Sequence, residues 1–191
     1  MSFGGGDMDY RAEDDILIDW PLVGLFDGVA GEGRNLQQMG LIERIIERIR
    51  PFISVEADKP DENFRRDRKW RYPIDAVREA VLNAFAHRDW TRAIEIEMVN
   101  YADRLEIKSP GALQNAMTVE AMLAGQRSVR NPIILETLRD YSYVDMRGMG
   151  VRKKIVPLVR EMTGRDPIFE ATEDYVKVIL PRKNFKSEIN L

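Results

Sequence analysis

Four polar residues at intervals of four form the most informative pattern in this sequence. Asp75, Glu79, Asn83 and His87 follow one another within residues 71–90, RYPIDAVREAVLNAFAHRDW. Side chains at positions i and i+4 are neighbours on a helix, so these four would form one polar stripe. Much of the remaining helix surface is apolar, with Ala76, Val77, Ala80, Val81, Ala84 and Phe85. The spacing predicts an amphipathic helix over residues 73–87.

The stripe carries groups that suit a nucleotide–metal site. An Asn oxygen is a hard ligand of the kind Mg²⁺ prefers, and a nearby Glu can orient a water. The alternative is an ordinary surface helix, in which Asn83 is partly exposed and Glu79 pairs with Arg78 or another charge. Spacing alone leaves both interpretations open.

Further motifs follow the stripe in a recognisable order. They are His87-Arg88-Asp89, DRLEI at 103–107, SPG at 109–111, SVRNP at 128–132 and RGMGV at 147–151. Together with Glu79-x-x-x-Asn83, over residues 72–180, they resemble the divergent GHKL-type ATPase domain. That domain is found at the C-terminal end of proteins labelled RecG-like helicases or transcriptional regulators, often linked to a Schlafen/Alba-type domain.

The resemblance implies a fold, two ligands and roles for the stripe. The fold is a GHKL (Bergerat)-like α+β two-layer sandwich, and the ligands are ATP and Mg²⁺. Asn83 would bind the metal and the nucleotide, and Glu79 would be the catalytic base that polarises the attacking water. His87 would contact a phosphate or cap the end of its helix, and Arg88 and Asp89 would pair or anchor a loop.

Four later segments would complete the nucleotide site in such a domain. Ser109 and Gly111 would lie near the base, Arg130 would reach a phosphate or a carboxylate at the sheet edge, and Gly148 and Gly150 would open a helix towards the phosphates. Asn131 would cap the following helix. The wider superfamily usually has Asp at the position of Ser109, and this family commonly has Asn. With a short glycine segment as well, slow hydrolysis or none is expected.

Composition excludes several other kinds of site. The chain has 191 residues, 44% hydrophobic and 32% charged, with a net charge of −3, no cysteine and one histidine. These values are typical of an ordinary globular protein, and they exclude disulfides, Cys-ligated metals and a multi-His metal site within one chain. No apolar run is long enough for a membrane span, and the N-terminus is unlike a signal peptide. A cytoplasmic location and no membrane partner are therefore expected.

The remaining segments predict a sheet covered by helices on one face. Strands are predicted at residues 16–18, 94–99, 104–108 and 175–180 and around Phe169, with Ser109-Pro110-Gly111 breaking the third of them. Helices are predicted at residues 35–53, ended by Pro51, at 118–123, after Asn131-Pro132 and at 151–162. This order favours a mixed or antiparallel sheet. The charged residues 56–69 are expected to form a solvated loop. The alternative is a basic contact surface.

These elements predict three regions along the chain. Residues 1–55 would be an N-terminal appendage, consisting of the tail of a Schlafen/Alba-type domain and an amphipathic helix. Residues 56–185 would be the ATP-binding domain and 186–191 a tail. The expected partner is a nucleotide, with DNA reached through companion domains and a homodimer as a further option. The alternative function is a non-enzymatic module that contacts DNA or protein, through the basic helix at 151–160, and keeps the fold without nucleotide.

Overall fold

The protein is built on one five-stranded antiparallel sheet. The computed structural model describes residues 16–18, 40–56, 68–144 and 149–184. The strands are β1 (Ile16–Ile18), β4 (Glu97–Asn100), β5 (Arg104–Pro110), β6 (Ile168–Ala171) and β7 (Tyr175–Pro181). Their order across the sheet is β1-β4-β5-β7-β6. Every neighbouring pair is antiparallel.

One face of the sheet is apolar and the other is charged. In β5, Leu105 and Ile107 are buried, whereas Glu106 and Lys108, which alternate with them, are only half-buried. This alternation is the pattern of a strand with one face on the core. Ion pairs cross the charged face, including Lys108–Glu97 at 3.0 Å and Lys177–Glu106 at 3.4 Å. The helices therefore have one face of the sheet to cover.

Two long helices supply most of the remaining core. They are α1 (Leu41–Ile53) and α2 (Ile74–His87). The buried isoleucines of α1 recur at helical spacing and lie in the same core cluster as the apolar side of α2 and the sheet: Ile42, Ile45, Ile49 and Ile53. Pro51 lies inside the last turn of α1, which ends at Ile53 rather than at the proline.

A small hairpin replaces part of the charged segment between these helices. Strand β2 (Ser54–Glu56) pairs antiparallel with β3 (Arg68–Trp70). The solvated loop predicted over residues 56–69 is therefore wrong at both of its ends, and its middle lies outside the described residues. Hydrophobic alternation in a three-residue strand is too short to detect in the sequence.

The second half of the chain adds shorter helices. These are α3 (Val119–Leu123), α4 (Pro132–Asp140), a π-helical segment (Val151–Ile155) and α5 (Val156–Thr163). The last two form the basic helix predicted at 151–162, and Pro157 lies in the first turn of α5. Proline lacks an amide hydrogen, which accounts for a change of helix type at this position. Among the described residues, no helix has the length and apolar character needed to cross a membrane.

The predicted α+β sandwich with helices on one face of the sheet is confirmed, and the sheet is antiparallel. Strand β4 begins at Glu97, three residues later than expected. Strand β5 continues through Ser109 and Pro110, so the predicted break falls only at Gly111. The division of the chain at residue 55 stays a prediction. Helices α1 and α2 share one core on either side of it.

Candidate functional site

A single cavity brings the predicted site residues together. It has a volume of about 310 Å³ and lies between α2, the end of β5, the α3–α4 connection and the π-helical segment. Seven of the eight predicted positions line it: Glu79, Asn83, His87, Ser109, Gly111, Arg130 and Gly150. Gly148 lies outside the described residues. Side chains separated by up to 71 positions in the sequence therefore face one space.

Glu79 is a buried carboxylate held between two neighbours. Its side chain is 9% exposed, and Oε2 lies 3.1 Å from Lys154 Nζ. The backbone of Gly150 is packed so closely against the carboxylate that a Cβ at position 150 would overlap it. A glycine is needed at this point for close approach, in addition to any contact with a ligand. The sequence indicated neither contact, and no local pattern links Glu79 to Lys154.

Asn83 lies one turn further along α2, and its amide nitrogen has no hydrogen bond to the described part of the chain. This nitrogen, Nδ2, is buried. An unpaired buried amide costs free energy unless a ligand or water satisfies it. The orientation of an Asn amide is assigned from its partners, so the open end of this side chain can present either a donor or an acceptor.

His87 is the last residue of α2 and faces the same cavity. Burial lowers the pKa of its imidazole, and the nearby positive charge of Arg130 lowers it further. Both effects disfavour the protonated ring. His87 is therefore held neutral near pH 7 in the ligand-free protein.

The side chain of Asn131 caps the end of α2 rather than the start of the helix that it precedes. Its Nδ2 donates to the carbonyl oxygens of Ala86 at 2.9 Å and Arg88 at 2.8 Å. Asn131 is also the N-cap residue of α4, as predicted, and its carbonyl accepts the Leu135 amide at 3.0 Å, but its side chain makes no capping hydrogen bond to that helix. The last carbonyls of a helix need such donors. Asn131 therefore connects the segment before α4 to the end of the helix that carries the polar stripe.

Arg130 and Asp89 form a second link between these segments. Arg130 Nη1 lies 3.2 Å from Asp89 Oδ2, and Nη2 donates to the Ala112 carbonyl at 2.5 Å. Gly111 lies against both side chains with φ of +104°, and a Cβ there would be 2.7 Å from Asp89 Cβ. Asp89 and Arg88 do not pair with each other. Arg88 anchors the following loop through the Ile94 carbonyl at 2.7 Å.

Ser109 is buried at the end of β5, facing α2. Its hydroxyl donates to the Ala84 carbonyl at 2.9 Å. Because the only hydroxyl hydrogen is used in that bond, the oxygen can offer only lone pairs to a ligand. Ser109 is therefore an acceptor with a fixed orientation.

The charges around the cavity are strongly unbalanced. Among the residues that the structure describes, six cationic side chains line it: Arg127, Arg130, Arg139, Arg152, Lys153 and Lys154. Glu79 is the one acid in this described part of the wall. The remainder of the wall is largely apolar and includes Ile107, Met117, Met122, Leu135, Phe169 and Val178. A site with a cationic part and an apolar part suits a ligand that joins a polyanion to a flat apolar group. The apolar residues were not predicted, because in the sequence they resemble any core residues.

The side chains of the cavity wall offer few ligands for a divalent cation. No group of three His, Cys, Asp or Glu side chains comes together among the residues that the structure describes. Mg²⁺ can bind through one protein oxygen when phosphates and waters supply the other ligands. Asn83, with its unpaired amide in the cavity, fits that arrangement, whereas an all-protein cage has no donors here.

Comparison with known proteins gives a match to part of the chain. Residues 92–180 match the family model described as "Putative ATP-dependent DNA helicase recG C-terminal". The resemblance to the ATPase domain of RecG-like proteins is thereby confirmed over this segment. The matched residues begin after α2, so Glu79, Asn83 and His87 precede them. No curated protein sequence matches the chain.

The fold is also similar to a solved structure, the DIP2311 protein from Corynebacterium diphtheriae. The TM-score is 0.52 and the sequence identity is 31%. The match covers 61% of this chain and 25% of the other, so this chain spans about a quarter of the length of the solved protein.

Proposed function

We propose that the cavity binds Mg²⁺–ATP and that the protein is the nucleotide-binding module of a RecG-like or transcriptional-regulator protein. The observation that carries this proposal is the charge of the cavity, whose described wall has six cations and one carboxylate. A triphosphate brings the negative charge that such a wall favours. The apolar part of the wall is suited to a purine ring.

Each polar residue has a role in this proposal. Asn83 would bind the metal through its amide oxygen, and the bound Mg²⁺ would neutralise charge on the phosphates. His87, Arg130 and the backbone at Gly150 would contact phosphates. Ser109 would accept a hydrogen bond from the amino group of adenine, and Gly111 would lie beside the base.

Hydrolysis, if it occurs, would use Glu79 as the base. The oxygen of a water would attack the terminal phosphorus while a proton passes from that water to Glu79. The bond from this phosphorus to the bridging oxygen would break, and ADP would leave with the electron pair. In the ligand-free protein Glu79 is paired with Lys154, which supports slow turnover.

The DNA-binding alternative has less support from the basic helix. Of its four cations, Lys154 pairs with Glu79, Arg152 donates to the Ala124 carbonyl at 3.3 Å and Arg160 pairs with Asp166 at 2.6 Å. A face whose charges are used within the chain is a poor footprint for phosphate backbones. DNA contacts through companion domains, a homodimer and a cytoplasmic location stay predictions.

Calorimetric titration with Mg²⁺ and ATP tests the proposal. Metal-dependent binding is expected in the parent chain and should be lost or at least tenfold weaker in Asn83→Ala, in line with the loss of one metal ligand. The exposed Asn184→Ala is the matched control and should bind like the parent. A folded parent that binds no nucleotide would exclude ATP binding and leave the interaction module as the better interpretation.

A further inference from the structure

The acid that lines the described part of the cavity, Glu79, is paired with a cation from the same wall. Glu79 Oε2 and Lys154 Nζ are 3.1 Å apart, and Gly150 covers the other side of the carboxylate. Both oxygens of the proposed base are therefore in contact with the π-helical segment or the residue before it. A carboxylate whose oxygen is engaged by a cation is less available to accept the proton of a water.

The two partners differ in how easily they can move. The Glu79 side chain is 9% exposed and lies in a helix whose apolar side is in the core. The Lys154 side chain is 43% exposed and ends a flexible four-carbon stem. When a new anion enters the cavity, Lys154 is the partner that can turn towards it without a change in the core.

We propose that Lys154 exchanges the Glu79 carboxylate for the terminal phosphate of a bound triphosphate and so releases Glu79 as the base. This inference rests on the proposed function. A base that orients water at the terminal phosphate must lie beside that phosphate, and Lys154 is in direct contact with that base. Lys154 is therefore a positioning residue that distinguishes a triphosphate from a diphosphate.

The first test compares affinities for ADP and for a non-hydrolysable ATP analogue, both with Mg²⁺. In Lys154→Met the preference for the triphosphate should fall about tenfold, the loss expected for one hydrogen bond between charged groups. Lys108→Met is the matched control, because Lys108 forms an ion pair of similar length, with Glu97 at 3.0 Å, and does not line the cavity. The control should keep most of the preference, and thermal unfolding confirms that both variants are folded.

The second test is a double-mutant cycle on the pair. Glu79→Gln keeps the shape of the side chain and frees Lys154, so it should tighten binding of the analogue about two- to fivefold, the range of a partly exposed ion pair. The gain should disappear in the Glu79→Gln, Lys154→Met double variant. If Glu79 acted only by repelling the phosphate, the gain in analogue affinity from Glu79→Gln would instead be larger in the Lys154→Met background. The negative charge of Glu79 would then have no neighbouring cation to offset it.

The outcomes separate this inference from the proposed function. A parent that binds neither nucleotide overturns both. A parent that binds the analogue through Asn83, with the same triphosphate preference in Lys154→Met, overturns the exchange alone. A gain from Glu79→Gln that is equal or larger in the Lys154→Met background also overturns it.

Discussion

The Glu79 carboxylate occupies the space that a side chain at position 150 would need. A Cβ built on Gly150 overlaps the carboxylate and lies 2.8 Å from its Cγ. The glycine thus fixes how closely the start of the π-helical segment approaches α2. This approach forms one wall of the cavity and buries the residue that we propose as the base.

Gly150→Ala should disturb both the stability and the ligand site. The added methyl group must displace Glu79 or the π-helical segment, and overpacking of this kind costs about 1–3 kcal/mol. We expect a lower free energy of unfolding in urea and nucleotide binding weakened at least tenfold.

Gly164→Ala is the control for this substitution. Gly164 has φ of +70° and no atom within 4 Å of a built Cβ. It should cost roughly 1 kcal/mol through backbone strain alone and leave binding unchanged. Equal binding losses in the two variants would contradict a specific role for the contact at Gly150.

Asn131→Ala should destabilise α2 from a distance. The substitution removes two hydrogen bonds to the last carbonyls of the helix, from Ala86 and Arg88. We expect a loss of about 1–3 kcal/mol in urea unfolding, with faster amide hydrogen exchange at the end of α2. A loss like that of exposed Asn184→Ala, expected to be within about 0.5 kcal/mol, would show that the cap contributes little.

Ser109→Ala should reduce the preference of the site for adenine over guanine. The hydroxyl donates to Ala84, so its oxygen can accept from the adenine amino group and would face the guanine carbonyl oxygen unfavourably. We expect the ratio of ATP to GTP affinity to fall about threefold to tenfold, measured by competition. Ser128→Ala, in the same cavity, should leave the ratio unchanged. Equal affinities of the parent for ATP and GTP would contradict this role of Ser109.

His87 should make stability depend on pH. Its pKa in the folded protein lies below the ordinary value of 6.5, so the unfolded chain binds more protons as the pH falls through that value. The free energy of unfolding should therefore decrease between about pH 7 and pH 5.5 and reach its full loss below the folded-state pKa. His87 is the only histidine, so urea titrations of the parent and His87→Asn isolate its effect. Identical slopes in this range would contradict a buried neutral imidazole.

Local periodicity predicted the polar stripe and most elements. The four-residue spacing of Glu79, Asn83 and His87 is a property of one helix, and the β4–β5 hairpin follows from alternation and a turn. Pro110 was expected to end its strand. It nevertheless pairs with Tyr175 of β7, and its carbonyl accepts a hydrogen bond from the Asp89 amide at 2.8 Å.

Contacts between distant segments could not be predicted. The pair Glu79–Lys154 spans 75 residues, and Asn131 reaches α2 across more than 40. Neither contact leaves a periodic pattern in the sequence, since each depends on how whole elements pack. The same holds for the apolar wall of the cavity, whose residues have the composition of a core.

A crystal structure with Mg²⁺ and a non-hydrolysable ATP analogue tests the central claim most directly. The account predicts the analogue in the cavity, with the metal on the Asn83 amide oxygen and the terminal phosphate between Glu79 and Lys154. A cavity that stays empty at a saturating concentration of the analogue, or an analogue bound elsewhere on the chain, would contradict it.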